Sequence, residues 1–83
     1  MPLYLVWHEA EREIDPELAA SLDRAELRPG LFLVDSEETR SRLYHRVKWA
    51  LPRGTALLVA PLAEAPKFKG MEPGALAWLR HRA

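Results

Sequence analysis

Carboxylates are the residues of this 83-residue chain whose types and spacing come nearest to a catalytic pattern. After an apolar run near the N-terminus, acidic side chains occupy alternate positions, at Glu9, Glu11, Glu13 and Asp15. Carboxylate oxygens that follow a buried strand can hold a divalent cation. Exposed loops are also commonly charged without binding anything, and Asp15 has a separate role as a helix N-cap. The acidic segment that contains Glu9, Glu11, Glu13 and Asp15 is therefore a candidate metal site.

A second candidate site is the basic and aromatic stretch "RSRLYHRVKW", residues 40–49. A helical period places one set of side chains opposite Leu43 and Val47, namely Glu38, Arg42, His45, Arg46 and Trp49. Arginines clamp phosphates and tryptophan stacks on bases, so Arg42, His45, Arg46 and Trp49 are candidates for nucleic-acid binding. The same face has two simpler explanations, a solvated surface with a Glu38–Arg42 pair or a dimer contact through Trp49.

Other residue types supply no complete catalytic set. The three histidines, His8, His45 and His81, lack a second histidine at metal-ligand spacing, and a lone histidine is usually a surface or core residue. The serines have no nucleophile elbow, and the glycines occur only at turns. The chain has no cysteine, which excludes disulfides and thiol nucleophiles. We therefore expect no catalytic activity and no small-molecule cofactor, with magnesium at Glu9 as the one exception.

Composition limits the class of protein. Twelve basic and twelve acidic residues give a net charge of zero, so contact with a nucleic acid requires a local patch. With 48% hydrophobic residues the chain is globular, and its length predicts a single domain over residues 1–83. So small a core leaves apolar surface uncovered, which favours a homodimer. Without a signal peptide or a long apolar run, we expect a cytoplasmic protein with no membrane partner.

Hydrophobic periodicity and turn residues predict the elements that position these side chains. The first half of the chain is predicted to contain a strand at 3–7, a helix from Asp15 to about Glu26, a short extended piece at 25–27 and a turn at 28–30. Leu18, Leu22 and Ala25 would form the inward stripe of that first helix.

The second half of the chain is predicted to contain a strand at 31–34, a helix that Asp35 or Ser36 caps, a strand at 55–62 and a helix from Pro73. Glu38 would complete a capping box with Asp35. The strand "TALLVAPL" is apolar on both faces, which is typical of a central strand. Leu76 and Leu79 would face inward from the last helix. The element order predicts an α+β fold, a ferredoxin-like βαββαβ arrangement with a short C-terminal helix.

The predicted order, with "LFLVDS" before a capped helix, "TALLVAPL", and a tail that contains "FKG" and "AWL", resembles the small SinR-like proteins related to the CRISPR adaptation nuclease "Cas two". The matching residues are Leu33-Val34-Asp35, Phe68, Gly70 and Trp78-Leu79. This resemblance implies a ferredoxin-like fold, usually homodimeric, with an aspartate after the first strand that binds a divalent metal in the nucleases. Glu9 stands at that position here, and its longer side chain changes a geometry that magnesium holds strictly.

Three functions follow from these observations. The first is a homodimeric binding or scaffold protein without catalysis of its own, with nucleic acid as a candidate partner. The second is a metal-dependent endonuclease of the CRISPR adaptation type that uses Glu9 and a neighbouring carboxylate such as Glu11. The third is a protein-interaction module of a toxin-antitoxin-like system, which zero net charge favours.

Overall fold

The computed structural model describes residues 2–82. Within this range the chain forms β1 (Leu3–His8), α1 (Pro16–Ser21), β2 (Asp23–Arg28), β3 (Leu31–Asp35), α2 (Arg40–Trp49), β4 (Leu57–Leu62) and α3 (Ala75–Arg80). The predicted α+β class is thus confirmed. None of the helices in the described range is long and apolar enough to cross a membrane.

The four strands form one antiparallel sheet in the order β2-β3-β1-β4. β1 pairs with β3 on one side and with β4 on the other, and β2 pairs with β3. The connection through α1 therefore passes over β3 to reach β2, and the connection through α2 passes over β1 to reach β4. This topology leaves β2 and β4 as the edges of the sheet.

Side chains alternate between the two faces of the sheet, and each face has its own core. Under α1 and α2, the core consists of Tyr4, Val6, Leu22, Phe32, Val34, Leu43, Val47 and Leu51. Under α3 and the segment before it, the core consists of Leu3, Ala25, Leu27, Leu33, Ala75 and Leu79. The predicted inward face of α2 is confirmed, because Leu43 and Val47 are fully buried.

The first helix is shorter than its hydrophobic stripe predicted. It ends at Ser21, and Leu22 already has extended backbone angles, φ −94° and ψ 137°. Ala25 lies in β2 and is buried against α3 rather than on a helix face. A helix this short is marginal by itself, and the ladder between β2 and β3 supplies more backbone pairing than another helical turn would.

The second helix begins later than predicted. Thr39 is its N-cap, and its hydroxyl accepts a hydrogen bond from the Arg42 N–H at 3.2 Å. Asp35 instead ends β3, and Ser36 accepts from the Glu38 N–H in a local turn. The prediction of a cap at Asp35 or Ser36 is therefore wrong, because these residues complete the strand and its turn before the helix starts.

Two further predictions are wrong in position. β4 is an edge strand and not a central one, although its sequence is apolar on both faces. α3 begins at Ala75, after Gly74 with φ +90°, rather than at Pro73. Its buried residues, Ala75 and Leu79, are four positions apart, and this spacing leaves Leu76 42% exposed.

Candidate functional site

The outer face of α2 carries the most exposed aromatic group of the described residues. Trp49 is 78% exposed, and its ring lies 5.7 Å from the ring of His45, measured between centroids. His45 also contacts Tyr44 edge to face at 5.2 Å. The face defined here as the α2 outer face, Arg42, His45 and Trp49, follows an i, i+3, i+7 spacing that keeps the three side chains on one side of the helix.

The charge of α2 is entirely basic, from four side chains: Arg40, Arg42, Arg46 and Lys48. Arg53 follows in the loop after the helix. Lys48 and Arg53 line a groove of about 560 Å³ together with Tyr44, Trp49 and Leu57. A chain of zero net charge thus carries a local positive surface next to an exposed indole ring.

Arg46 has a different role from the other three predicted nucleic-acid ligands. Its Nη1 donates to Oε2 of Glu38 at 2.6 Å, and its Nη2 donates to the Ser21 hydroxyl at 3.0 Å. These contacts tie α2 to the turn before it and to the end of α1. Glu38 therefore pairs with Arg46 and not with Arg42, the partner that helical spacing predicts, because the late helix start places Glu38 outside the helix.

Glu9 holds the start of β4 in place. One of its carboxylate oxygens, Oε1, accepts the Ala56 N–H at 2.6 Å, while the Glu9 N–H donates to the Ala56 carbonyl at 3.3 Å. Glu11 is exposed. In residues 2–82 no three histidine or acidic side chains come together in a way that could hold a metal ion. Magnesium can also bind through one or two carboxylates and several waters, so metal binding at Glu9 and Glu11 stays a prediction.

His8 has no metal-ligand partner in the sequence, yet it is the one buried polar side chain of the described residues, with 5% exposure. The alternation of side chains along β1 could have predicted this burial. Tyr4, Val6 and His8 share one face of the strand, and Tyr4 and Val6 belong to the core. Its Nδ1 lies 2.8 Å from the Glu9 carbonyl, and its ring meets Phe32 edge to face.

The edge strand β4 exposes apolar side chains on the sheet face opposite α2. Trp7 and Leu58 are direct cross-strand neighbours, and they are 41% and 49% exposed. On the other face, Leu57 and Val59 are only partly covered by α2. Three of the four large exposed hydrophobic residues in the described range, Trp7, Leu58 and Trp49, therefore lie around the first half of β4.

The free backbone groups of β4 follow from its pairing with β1. The Glu9 N–H donates to the Ala56 carbonyl, which places Ala56 in a hydrogen-bonded pair, and such pairs alternate along an antiparallel ladder. Leu58 and Ala60 therefore bond to β1, whereas Leu57, Val59 and Pro61 direct their backbone groups outward. Pro61 fits this arrangement because an edge position tolerates its missing N–H.

A charged cluster fixes α3 against the opposite edge of the sheet. The guanidinium of Arg82 donates to both carboxylate oxygens of Asp23 and lies 4.2 Å from the ring centroid of Trp78, whose indole N–H also donates to Asp23. These hydrogen bonds, with that of Arg82 the largest, hold the pKa of Asp23 below its ordinary value. The role of this cluster is structural, because its groups bond to one another.

No family model matches this chain, and comparisons with curated proteins and with solved structures also found no significant match. The resemblance to the SinR-like group stays a prediction.

Proposed function

We propose that the protein is a homodimeric binding protein without catalytic activity of its own, and that two copies join through their β4 edges. The observation that carries this proposal is the mismatch between the sequence of β4 and its position. A strand that is apolar on both faces is typical of the middle of a sheet, yet here it has a neighbour on one side only. A second β4 would supply the other neighbour.

The free backbone groups favour one register for such a pair. In a two-fold antiparallel arrangement, pairing Leu57 of one copy with Val59 of the other joins every outward N–H of these two residues to a carbonyl. Pairing centred on Val59 would instead oppose Leu57 to Pro61, which has no N–H to donate. We therefore place Leu58 on the two-fold axis, directly opposite Leu58 of the second copy.

The surface area of the chain supports self-association. The accessible surface is 5630 Å², whereas a monomer of 9.5 kDa has about 5,000 Å² by the usual scaling with mass. The excess is of the same order as the roughly 800 Å² that each partner buries in a standard interface. Trp7 and Leu58 lie where such an interface would cover them.

The likeness to a ferredoxin-like fold and to the SinR-like group belongs to this proposal as well. It is supported by the element order and by the sheet order β2-β3-β1-β4, in which α1 and α2 each connect two strands across a third. In this interpretation the chain is a non-catalytic member of the group, because the Glu9 carboxylate is bonded to the Ala56 N–H.

A nucleic acid is the partner that the α2 outer face favours. Trp49 presents an open ring face for stacking, and Arg42 and Lys48 supply positive charge beside it. An edge-to-edge dimer continues the sheet, so both α2 helices lie on the same side of it. Two basic helices side by side provide a longer surface for one strand than a single helix of 10 residues does.

Cysteine cross-linking tests the dimer, because the chain has no native cysteine. In the proposed register, Leu58 and its counterpart are a non-hydrogen-bonded pair with Cα atoms about 4.5 Å apart, within disulfide range. Leu58→Cys should therefore form a disulfide-linked dimer under mild oxidation. Ala60→Cys is the matched control on the same strand and face, because its two copies would be about 13 Å apart. Equal cross-linking of both variants, or of neither, would overturn the register.

The nucleic-acid component needs a separate measurement. We expect a fluorescently labelled single-stranded oligonucleotide to gain anisotropy with the protein at low salt and to lose it at high salt. Trp49→Ala should weaken this binding, since stacking on one base contributes about 1–3 kcal/mol. Leu76→Ala removes an exposed apolar side chain from α3 instead and serves as the control. Absence of binding at low salt would exclude a nucleic acid and leave the dimer proposal standing.

A further inference from the structure

A cleft at the end of β1 has the chemistry of a small-molecule site. It has a volume of about 530 Å³ and lies between the loop after β1, α1 and the β2–β3 hairpin. This volume is in the range of ligand-binding pockets, about 300–1,000 Å³. The cleft lies on the opposite side of the sheet from the proposed Leu58 contact and apart from the α2 outer face, so it is independent of both.

The buried His8 contributes one free acceptor to this cleft. Its Nδ1 must carry the hydrogen, because the Glu9 carbonyl 2.8 Å away can only accept. In the neutral ring Nε2 is then the acceptor, and it has no partner among the described residues. No side-chain nitrogen or oxygen in that range is both fully buried and unbonded, so Nε2 must be accessible, and His8 lines the cleft.

Arg24 supplies hydrogen-bond donors to the cleft from a fixed position. Its Nε donates to the Ala19 carbonyl at 3.3 Å, and its guanidinium lies 5.3 Å from the ring centroid of Phe32. Its two terminal nitrogens have no acceptor among residues 2–82. A guanidinium that is held by its Nε and presents both terminal nitrogens is suited to bidentate binding of a carboxylate.

Carboxylates on the same walls balance this positive charge. Glu26 is two residues after Arg24 on β2 and therefore on the same face, about 7 Å away. Arg12 and Glu13 also line the cleft, so the four charged side chains sum to zero. This balance disfavours a ligand that carries only negative charge and favours one that carries both signs.

We propose that the cleft binds a free α-amino acid. Arg24 would hold its carboxylate, while Glu26 and His8 Nε2 would accept hydrogen bonds from its ammonium group. The remaining lining of the cleft is mainly apolar and includes Ile14, Pro16 and Ala19, which favours a small apolar side chain on the ligand. Gly30 also lines the cleft, and a Cβ at this position would lie 2.4 Å from the His8 carbonyl oxygen.

Protein-detected NMR tests this assignment with free amino acids as probes. We expect glycine, alanine or valine, added singly, to shift the His8 ring signals and the amides of Arg24 and Glu26 in a saturable manner. Glu26→Gln should weaken this binding about tenfold or more, because it removes the charged acceptor of the ammonium group. Glu26 is exposed, and its carboxylate forms no hydrogen bond or ion pair within residues 2–82, so the variant should fold normally.

Two controls separate the proposal from its alternatives. Arg28→Gln changes an exposed arginine of the same strand that does not line the cleft, and it should bind the amino acids as the unmodified chain does. Inorganic phosphate alone should leave the His8 signals unchanged. Shifts with phosphate but with none of the amino acids would mean an anion site and would overturn the proposal, as would the absence of shifts with every probe or equal binding by Glu26→Gln.

Discussion

Replacing Leu58 by lysine should weaken the dimer strongly without unfolding the chain. Leu58 is 49% exposed, so about half of its apolar surface remains to be buried by a partner. Complete burial of a leucine contributes about 1.5–3 kcal/mol, which leaves about 1 kcal/mol per copy, or about 2 kcal/mol for the two copies. This difference corresponds to roughly a 30-fold weaker association, about 1.4 kcal/mol being tenfold. The two ammonium groups would also oppose each other at the two-fold axis.

Sedimentation equilibrium over a range of concentrations measures this effect directly. Leu76→Lys is the matched control, because Leu76 is a leucine of similar exposure, 42%, on α3. It should associate as the unmodified chain does, and circular dichroism should show that both variants are folded. The reasoning is refuted if both lysine variants associate equally, or if Leu76→Lys alone disrupts the dimer.

Three further predictions concern the rest of the molecule. Arg42→Gln should lower the salt dependence of oligonucleotide binding by about 0.7 in the log–log slope for each phosphate that the variant no longer neutralises, whereas Arg80→Gln on α3 should leave the slope unchanged in the same titration. Asp23→Asn should destabilise the fold by at most about 1 kcal/mol in urea titrations at neutral pH, since the ion pair with Arg82 is partly exposed. Because the folded-state pKa of Asp23 is lowered, this difference should be complete above the ordinary value of 3.8 and disappear as the pH falls through the lowered folded-state pKa. A difference that grows in acid would contradict the assignment. Gly30→Ala should destabilise by about 2 kcal/mol or more, because Gly30 has φ +79° and its Cβ would collide with the His8 carbonyl; a normal thermal midpoint would show that the hairpin can move aside.

The class and order of the elements could be predicted because short-range signals dominate them. The apolar run at β1, the turn at Pro29-Gly30 and the inward face of α2 are each local patterns. The end of α1 could not be predicted in this way, because Leu22 and Ala25 fit a helical period, and Ala25 also fits the strand alternation of β2. Only the pairing of β2 with β3, which depends on tertiary structure, decides between them.

The candidate site was predictable only in part for the same reason. The exposure of Trp49 and the basic character of α2 follow from helical spacing. That Arg46 bonds to Glu38 and Ser21 depends on where the helix starts, and the Thr39 cap sets this start. The prediction that β4 is a central strand is the most informative of those that failed, because the residues of β4 are apolar on both faces. In the proposed dimer each β4 has a neighbour on both sides, so the prediction of a central strand would describe the dimer and not the single chain.

The molar mass of the unmodified protein in solution tests the central claim most directly. Light scattering coupled to size exclusion, without nucleic acid, should give twice the 9.5 kDa of one chain. The mass should fall toward that of one chain only on dilution. A value of 9.5 kDa at every concentration up to the solubility limit would contradict the account, since β4 would then be an edge strand that remains unpaired.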